Sequence, residues 1–485
     1  MSQEIRTLEP AGVWNNFTNI NAIPRASKKE DEIVAYMVSF GKKLGLETIV
    51  DDVQNVLIKK PATAGMESRK TIVMQSHLDM VHQKNNETIF DFDTQGIDMF
   101  VEGDWVKAKG TTLGADNGLG VASIMAILES NTIEHPAIEA LFTIDEETGM
   151  TGAMELQPEF LTGEILLNLD TEDDDEIGVG CAGGVDVTAT KSYIPVQVDK
   201  HEGYIKISVK GLQGGHSGMD IIKGLGNANK LMNRIMTAVQ DTMQINQIDG
   251  GGLRNAIPRE SNAVVIITDA NKFKNQFEEI KAALENEYAS LEPDMEISYE
   301  EIASVAPLNA LGLKDQNTIL NTLYGLHNGV YRMSPDIKDL VETSNNVARV
   351  EIKDGSIKVL CLTRSSVESG KWDMANGLKA VFDLGGFNVT FSGSYPGWQP
   401  NPNSAILKVM KSLYTNLFNE EPNVLACHAG LECGLLGTHY PEMDMISFGP
   451  TIKGAHSPDE RASISSTKKY WTYLLEILKN IPEQV

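Results

Sequence analysis

The 485-residue chain carries 41 basic against 67 acidic residues, a formal charge of −26, which repels phosphate backbones and anionic membrane surfaces and argues against nucleic acid as a partner. That length, with 41% hydrophobic residues, supplies apolar surface for more than one core, so two domains are expected. Four cysteines, Cys181, Cys361, Cys427 and Cys433, make no disulfide framework, MSQEIRTLEPAGVW lacks a basic segment followed by an apolar one, and no stretch approaches the roughly 20 apolar residues of a membrane span; a soluble cytoplasmic protein is expected.

In chain order, KKEDEIVAYMVSFGKKL at 28–44 reads as an amphipathic helix, and ETIVD and NVLIKK follow as short strands. TIVMQS at 71–76 is a buried strand ending at His77. LGVASIMAILES at 119–130 is a helix rich in Ala, Ile and Leu, with Asp116, Asn117 and Gly118 in the turn before it. AIEALFTI and EILLNL are two more apolar strands, ending at the acidic cluster 145–147 and at Asp170. Strands alternating with helices predict a largely parallel sheet covered on both faces. In such sheets ligands gather beyond the carboxyl ends of the strands, where these acidic and His residues fall.

After CAGG at 181–184 the alternation restarts: YIKISVKG, a helix near 225–239, NAVVIITD, a charged helix near 272–288 and MEISYE. A second round follows, with ARVEIKDG, SIKVLCLTRSS, a helix around 371–384 and FNVTFSGSYP. The first domain then resumes with a helix over about 403–418, the strand MDMISFG, the loop carrying His456, and a closing helix from Asp459 to about Asn480. Ser457 and Pro458 suit that helix start as capping and first helical residues. The predicted fold is α/β: a mixed, mostly parallel sheet with flanking helices over 1–184 and 399–485, and an inserted α+β domain of two β-α-β layers over 185–398.

Five segments carry the chemistry: SHLDM at 76–80, GADNG at 114–118, DEETG at 145–149, LNLD at 167–170 and GAHSPDE at 454–460. Each has an ordinary explanation alone. His77 and Asp79 suit a polar turn, Asp116 suits a helix cap, Glu146 and Glu147 suit a solvated acidic pair, and His456 suits any loop. Adjacent acids at the end of an apolar strand are nevertheless costly unless a cation or shared proton relieves them, and Asp170 closes an even more apolar run. All five segments fall at one edge of one predicted sheet, where two His and several carboxylates form the ligand set of a two-metal hydrolytic site. Nitrogen and oxygen ligands of this kind suit Zn2+, with Mn2+ or Co2+ as alternatives. Cys427 and Cys433 flank His428, but without a second matched pair they do not make a zinc knuckle. The run TEDDDE reads as a solvated acidic loop.

SHLDMV, KGTTLGADNGLGVA, TIDEETGM, LLNLD, GGHSG, CHAGLECG and GAHSPDERAS together resemble the M20 metallopeptidases, and within them the aminoacylhistidine dipeptidase branch, also called Xaa-His dipeptidase or peptidase D. The similarity runs over essentially the whole chain. The resemblance implies that His77 and Asp170 hold one metal, that Glu147 and His456 hold the other, and that Asp116 bridges them and precedes a cis peptide bond. It also implies Glu146 as general base and Asp79 as the residue that positions His77. In the inserted domain it points to His216, Asn255 and Arg364 as substrate contacts, and Glu432 is a candidate holder of the substrate's amino group.

The activity so implied is metal-dependent hydrolysis of unblocked dipeptides, including Xaa-His dipeptides such as β-alanyl-histidine, with the inserted domain as a lid and a homodimer through it as one option. Two other readings stay open: an N-acyl amino acid deacylase using the same metals, and a metal-bound peptide-binding protein without turnover. A base at Glu146 speaks against the last, since binding alone needs none.

Overall fold

The computed structural model describes residues 3–85, 87–303, 309–335, 337–401, 403–428 and 430–484. The chain divides into two units, one of Met1–Gly180, Trp398–Ala426 and Leu431–Val485, the other of Cys181–Gly397 and Cys427–Gly430. Cys427–Gly430, read from the sequence as part of the first domain, thus groups with the second. Three contacts account for this: Ala182 N donates to Cys427 O, His428 Nε2 pairs with Ser344 Oγ at 2.8 Å, and the missing side chain of Gly218 admits the carbonyl of His428.

In the first unit an eight-stranded sheet runs in the order Glu47–Val50, Val56–Lys60, Ile138–Thr143, Ile72–His77, Ile165–Asn168, Asp444–Ser447, Glu176–Cys181, Asn423–Cys427. Its centre is parallel: Ile72–His77 pairs with Ile138–Thr143 and Ile165–Asn168, and the latter pairs with Asp444–Ser447. Toward the edges the pairing turns antiparallel. The central strands are buried on both faces, which is why their sequences are continuous apolar runs without alternation. Helix Ala115–Glu129 is buried almost all round, as a helix apolar on every face must be, and it packs against Ala11–Ile20 and the Ile72–His77 strand.

A second, four-stranded sheet in this unit positions His456. Ile452–Lys453 and Arg461–Ser463 form a small antiparallel ladder with His456 in the connection between them, and Arg461–Ser463 pairs onward with Trp105–Ala108. This corrects the expected helix start at Ser457 and Pro458. Ser457 Oγ donates to Gly454 O and accepts from Asp459 N in a turn, whereas the closing helix spans Ile464–Lys479 with Ser463 as its cap, accepting from Ser466 N. The local capping signal loses to strand pairing with a distant segment.

The inserted unit is built on one nine-stranded sheet, in the order Glu296–Ile302, Gly203–Lys210, Ser261–Ile267, Met243–Gly251, Val341–Lys353, Ser356–Ser365, Gly183–Ser192, Asn388–Tyr395, with Gly329–Met333 paired to Val341–Lys353. The two rounds seen in the sequence therefore join edge to edge, through pairing of Met243–Gly251 with Val341–Lys353. Helices Ala228–Val239 and Glu368–Leu384 pack onto the sheet, and one apolar core continues beneath both halves. Among the described residues no helix is long and apolar enough to cross a membrane.

The revised helix start is testable by stability. Ser463→Ala, which removes the cap and a bond to Asp104 Oδ2, is expected to cost about 1 kcal/mol, and Ser457→Ala less than about 0.5 kcal/mol, both measured by denaturant unfolding.

Candidate metal centre

His77 ends its strand, Asp145–Glu147 follow the neighbouring parallel strand, and Asp170 follows the strand on the other side. The three segments leave adjacent carboxyl ends of one sheet, the place where open α/β sheets collect ligands. Asp116 reaches the same spot from the kinked start of helix Ala115–Glu129, where Asp116 and Asn117 depart from helical dihedrals and the bond between them is cis.

The side chains form two overlapping groups. His77 Nε2 lies 3.2 Å from Asp116 Oδ1 and 3.4 Å from Asp170 Oδ1. His456 Nε2 lies 3.1 Å from Asp116 Oδ2 and 2.9 Å from Glu147 Oε2. Each group, His77 with Asp116 and Asp170, and Asp116 with Glu147 and His456, keeps its ligand atoms within 4.8 Å of one another, as does the trio His77, Glu146 and Glu147. Asp116 is common to the first two and turns a different oxygen to each histidine. The arrangement is a His/Asp/Glu site able to hold metal.

Supporting bonds orient these groups. His77 Nδ1 faces Asp79, 3.1 Å from its carbonyl and 3.4 Å from Oδ1. The Asp79 carboxylate also accepts from Ser27 Oγ and from the backbone N–H of Glu146 and Glu147, so one buried acid ties the His77 strand to the Glu146–Glu147 turn. Asn117 Nδ2 donates to Asp170 Oδ1. A polar chain runs across the strand ends beneath: Asn168 Nδ2 donates to Gln75 Oε1, and Gln75 Nε2 to Glu432 Oε2, which also accepts from Thr143 Oγ1. Glu432, the sequence's candidate for a substrate amine, is fully buried within this chain.

The electrostatics follow from crowding acids away from water. Burial, with the charges of Asp170, Glu432 and Glu147, pushes Glu146 well above the usual carboxylate range. Burial raises Asp170 to about 6 and Glu432 to about 8. Hydrogen bonds to Asp116 and Glu147 lift His456 to about 11. Burial works against the His77 imidazolium, yet the charge of Asp170 and bonds to Asp116, Asp170 and Asp79 still raise it. Burial also opposes ionisation of Asp79, but its bond to His77 and the other bonds hold it down at about 2.

The remaining sequence candidates, His216, Asn255 and Arg364, belong to the inserted unit. His216 Nδ1 accepts from the N–H of Gly218 and Met219, which leaves Nε2 to carry the proton of the neutral ring. Burial and the charge of Arg364 lower its basicity. Arg364 is buried, with Nη1 donating to Tyr395 Oη at 2.7 Å and Nε without a partner among the described residues. The side chain of Asn255 is exposed, and its carbonyl accepts from Ser217 N, steadying the His216 loop. His428, considered in the sequence only between Cys427 and Cys433, joins this unit, and burial followed by Arg364 takes it down to about 3. Two further buried groups of the first unit escaped the sequence reading, Arg25 and Glu460, both against the Asp116 turn; the only signal was that Glu460 lies four residues beyond His456 in GAHSPDE.

Comparison with known proteins agrees with this geometry. Residues 73–480 match the model of peptidase family M20/M25/M40. The chain is 44% identical over 483 residues to the cytosol non-specific dipeptidase of Escherichia coli K12, covering 99% of each. The structure superposes on that of the aminoacylhistidine dipeptidase from Vibrio alginolyticus with a TM-score of 0.94 and 42% identity, covering 100% of this chain and 99% of the other. An aminopeptidase, PepT, from Bacillus cereus shares the fold at a TM-score of 0.57 and 16% identity, over 98% of this chain and 99% of its own. The chain belongs to the M20 family of metallopeptidases.

Proposed function

We propose that the chain is a two-metal dipeptidase that hydrolyses the peptide bond of unblocked dipeptides, Xaa-His dipeptides such as β-alanyl-histidine among them. The observation that carries the reading is Asp116, whose two oxygens face two different imidazoles, each with another carboxylate beside it. In this reading His77 and Asp170 hold one ion, Glu147 and His456 the other, and Asp116 bridges them. The donor set fits: it has only nitrogen and oxygen ligands, its acids outnumber the cationic groups beside them, and a buried Glu147 Oε1 lacks a partner among the described residues. Such ligands suit zinc, with manganese and cobalt as alternatives. Bound there, two divalent ions supply Lewis acidity that acidifies water and polarises the scissile carbonyl.

The chain's own groups handle the proton and the substrate. Glu146 accepts a proton from water and returns it to the leaving amine; with two divalent ions in place it would be in the carboxylate form that accepts. Asp79 holds the His77 ring through Nδ1. From the inserted unit, His216 donates through Nε2 to the oxygen that gains negative charge, Arg364 pairs with the dipeptide's free carboxylate, and Asn255 adds a donor.

Three outcomes test the reading. Glu146→Ala retains both ions by metal analysis while turnover of a dipeptide falls by about 10²–10⁴; near-normal turnover contradicts the assignment. Chelation abolishes dipeptide hydrolysis and added zinc, manganese or cobalt restores it, whereas acetylated amino acids remain poor substrates; the reverse preference identifies a deacylase. The third outcome concerns pH. Without metal, His456 at about 11 and Glu432 at about 8 lie above their unfolded values, so the folded chain binds more protons than the unfolded one. That stabilisation is present at low pH and lost as pH rises through those values. The melting temperature of chelated protein therefore falls between about pH 6 and about pH 9, and metal loading, which replaces those protons, reduces the fall.

A further inference from the structure

Two buried ionic side chains grip the Asp116 turn from opposite sides, and neither belongs to the metal-holding set. Glu460 is 3% exposed. Its Oε2 accepts from the N–H of Leu113 at 2.7 Å and Gly114 at 3.0 Å, and its Oε1 from Ala115 at 2.7 Å and Asp116 at 3.4 Å. Helix Ala115–Glu129 has no side-chain cap of its own at Gly114, so the first-turn donors that a helix leaves unpaired are taken up by an acid from the far end of the chain.

Arg25, 1% exposed, holds the other side of the same turn. Its Nη2 donates to Gly114 O and to Asn21 Oδ1, and its Nη1 to Leu78 O and Asp79 O, where the His77 strand ends. Gly114, at φ +71, and Gly118 leave room for it: a Cβ would lie 2.5 Å and 2.7 Å from Arg25 Nη2. Peptide 114 is thus held at its N–H by Glu460 and at its carbonyl by Arg25. Glu460 lies at the end of the connection that carries His456, next to the pairing strand Arg461–Ser463.

We propose that Glu460, with Arg25 opposite it, is a positioning residue of the metal centre. Its carboxylate locks the His456 connection to the Asp116 turn, so that Asp116 presents one oxygen to the His77 side and the other to the His456 side. The inference rests on the two-metal reading above. An ordinary cap would stabilise the helix and nothing else. A positioning carboxylate sets metal affinity as well, because loss of a partner behind a metal ligand typically weakens binding by about 10–100-fold.

The test is cobalt titration of purified, chelated full-length protein, followed by calorimetry and by the visible absorption of the bound ions. Wild type is expected to take two Co2+ per chain. Glu460→Gln keeps the size but turns an N–H2 toward backbone donors, and is expected to raise the Co2+ dissociation constant by about 10–100-fold and alter the absorption spectrum, with far-UV circular dichroism unchanged. Ser463→Ala, which removes the cap of a different helix, is expected to lower stability and leave the Co2+ affinity alone. If Glu460→Gln does not fold, Arg25→Lys, which keeps the charge but loses the planar fork, is read the same way. Wild-type affinity and spectrum in the folded variant overturn the inference while leaving the two-metal reading intact. A wild type that takes fewer than two Co2+ removes both.

Discussion

The first unit depends on an electrostatic constraint: Asp79, Asp116, Glu146, Glu147, Asp170 and Glu432 converge on the carboxyl ends of adjacent strands with His77, His456 and Arg25 as the nearby cationic groups. Taking carboxylates out of water is expensive unless protons or cations answer the charge. Without metal, protons do so, and the raised values of Glu146, Asp170, Glu432 and His456 record it. In the two-metal reading proposed above, divalent ions would answer it better and would leave Glu146 ionised to act as the base. On that reading, binding and catalysis come from one charge imbalance.

The fold makes that imbalance affordable by preparing the backbone. The parallel centre of the sheet aims three strand ends at one point, the polar chain through Asn168, Gln75 and Glu432 ties those ends together, and Asp79 joins two of the segments through backbone N–H groups. Asp116 and His456 arrive from elsewhere, one on a helix start and the other on a strand connection. They are the residues whose placement most needs support, and they are where Glu460 and Arg25 act. The inserted unit carries different groups, an imidazole whose Nδ1 accepts two backbone N–H groups and a buried guanidinium whose Nε has no partner among the described residues.

The residues of the centre were legible because their types are costly where they stand. An acid that closes an apolar strand, as Asp170 does, or a pair such as Glu146 and Glu147 at a strand end, asks for a partner before any fold is known. The central strands were legible for the same reason, as apolar runs too continuous for a half-exposed sheet. Arg25 and Glu460 were not, since a single charged residue in a polar loop looks like surface, and only the fold brings backbone donors and acceptors around it. Ser457 and Pro458 misled because they make a good local helix start; pairing of Arg461–Ser463 with Trp105–Ala108, more than 350 residues earlier in the chain, moves the true start to Ile464. His428 groups with the second unit through partners that no local pattern reveals: Ser344, 84 residues away, hydrogen-bonds its ring, and Gly218 leaves room for its carbonyl.

The most direct measurement of the central claim is anomalous X-ray scattering from crystals of zinc-loaded protein, recorded on both sides of the zinc absorption edge. The account predicts two peaks about 3.5–4 Å apart, one on each side of the Asp116 carboxylate, the first against His77 and Asp170 and the second against Glu147 and His456. A single peak, or a pair in which Asp116 touches only one ion, would contradict it.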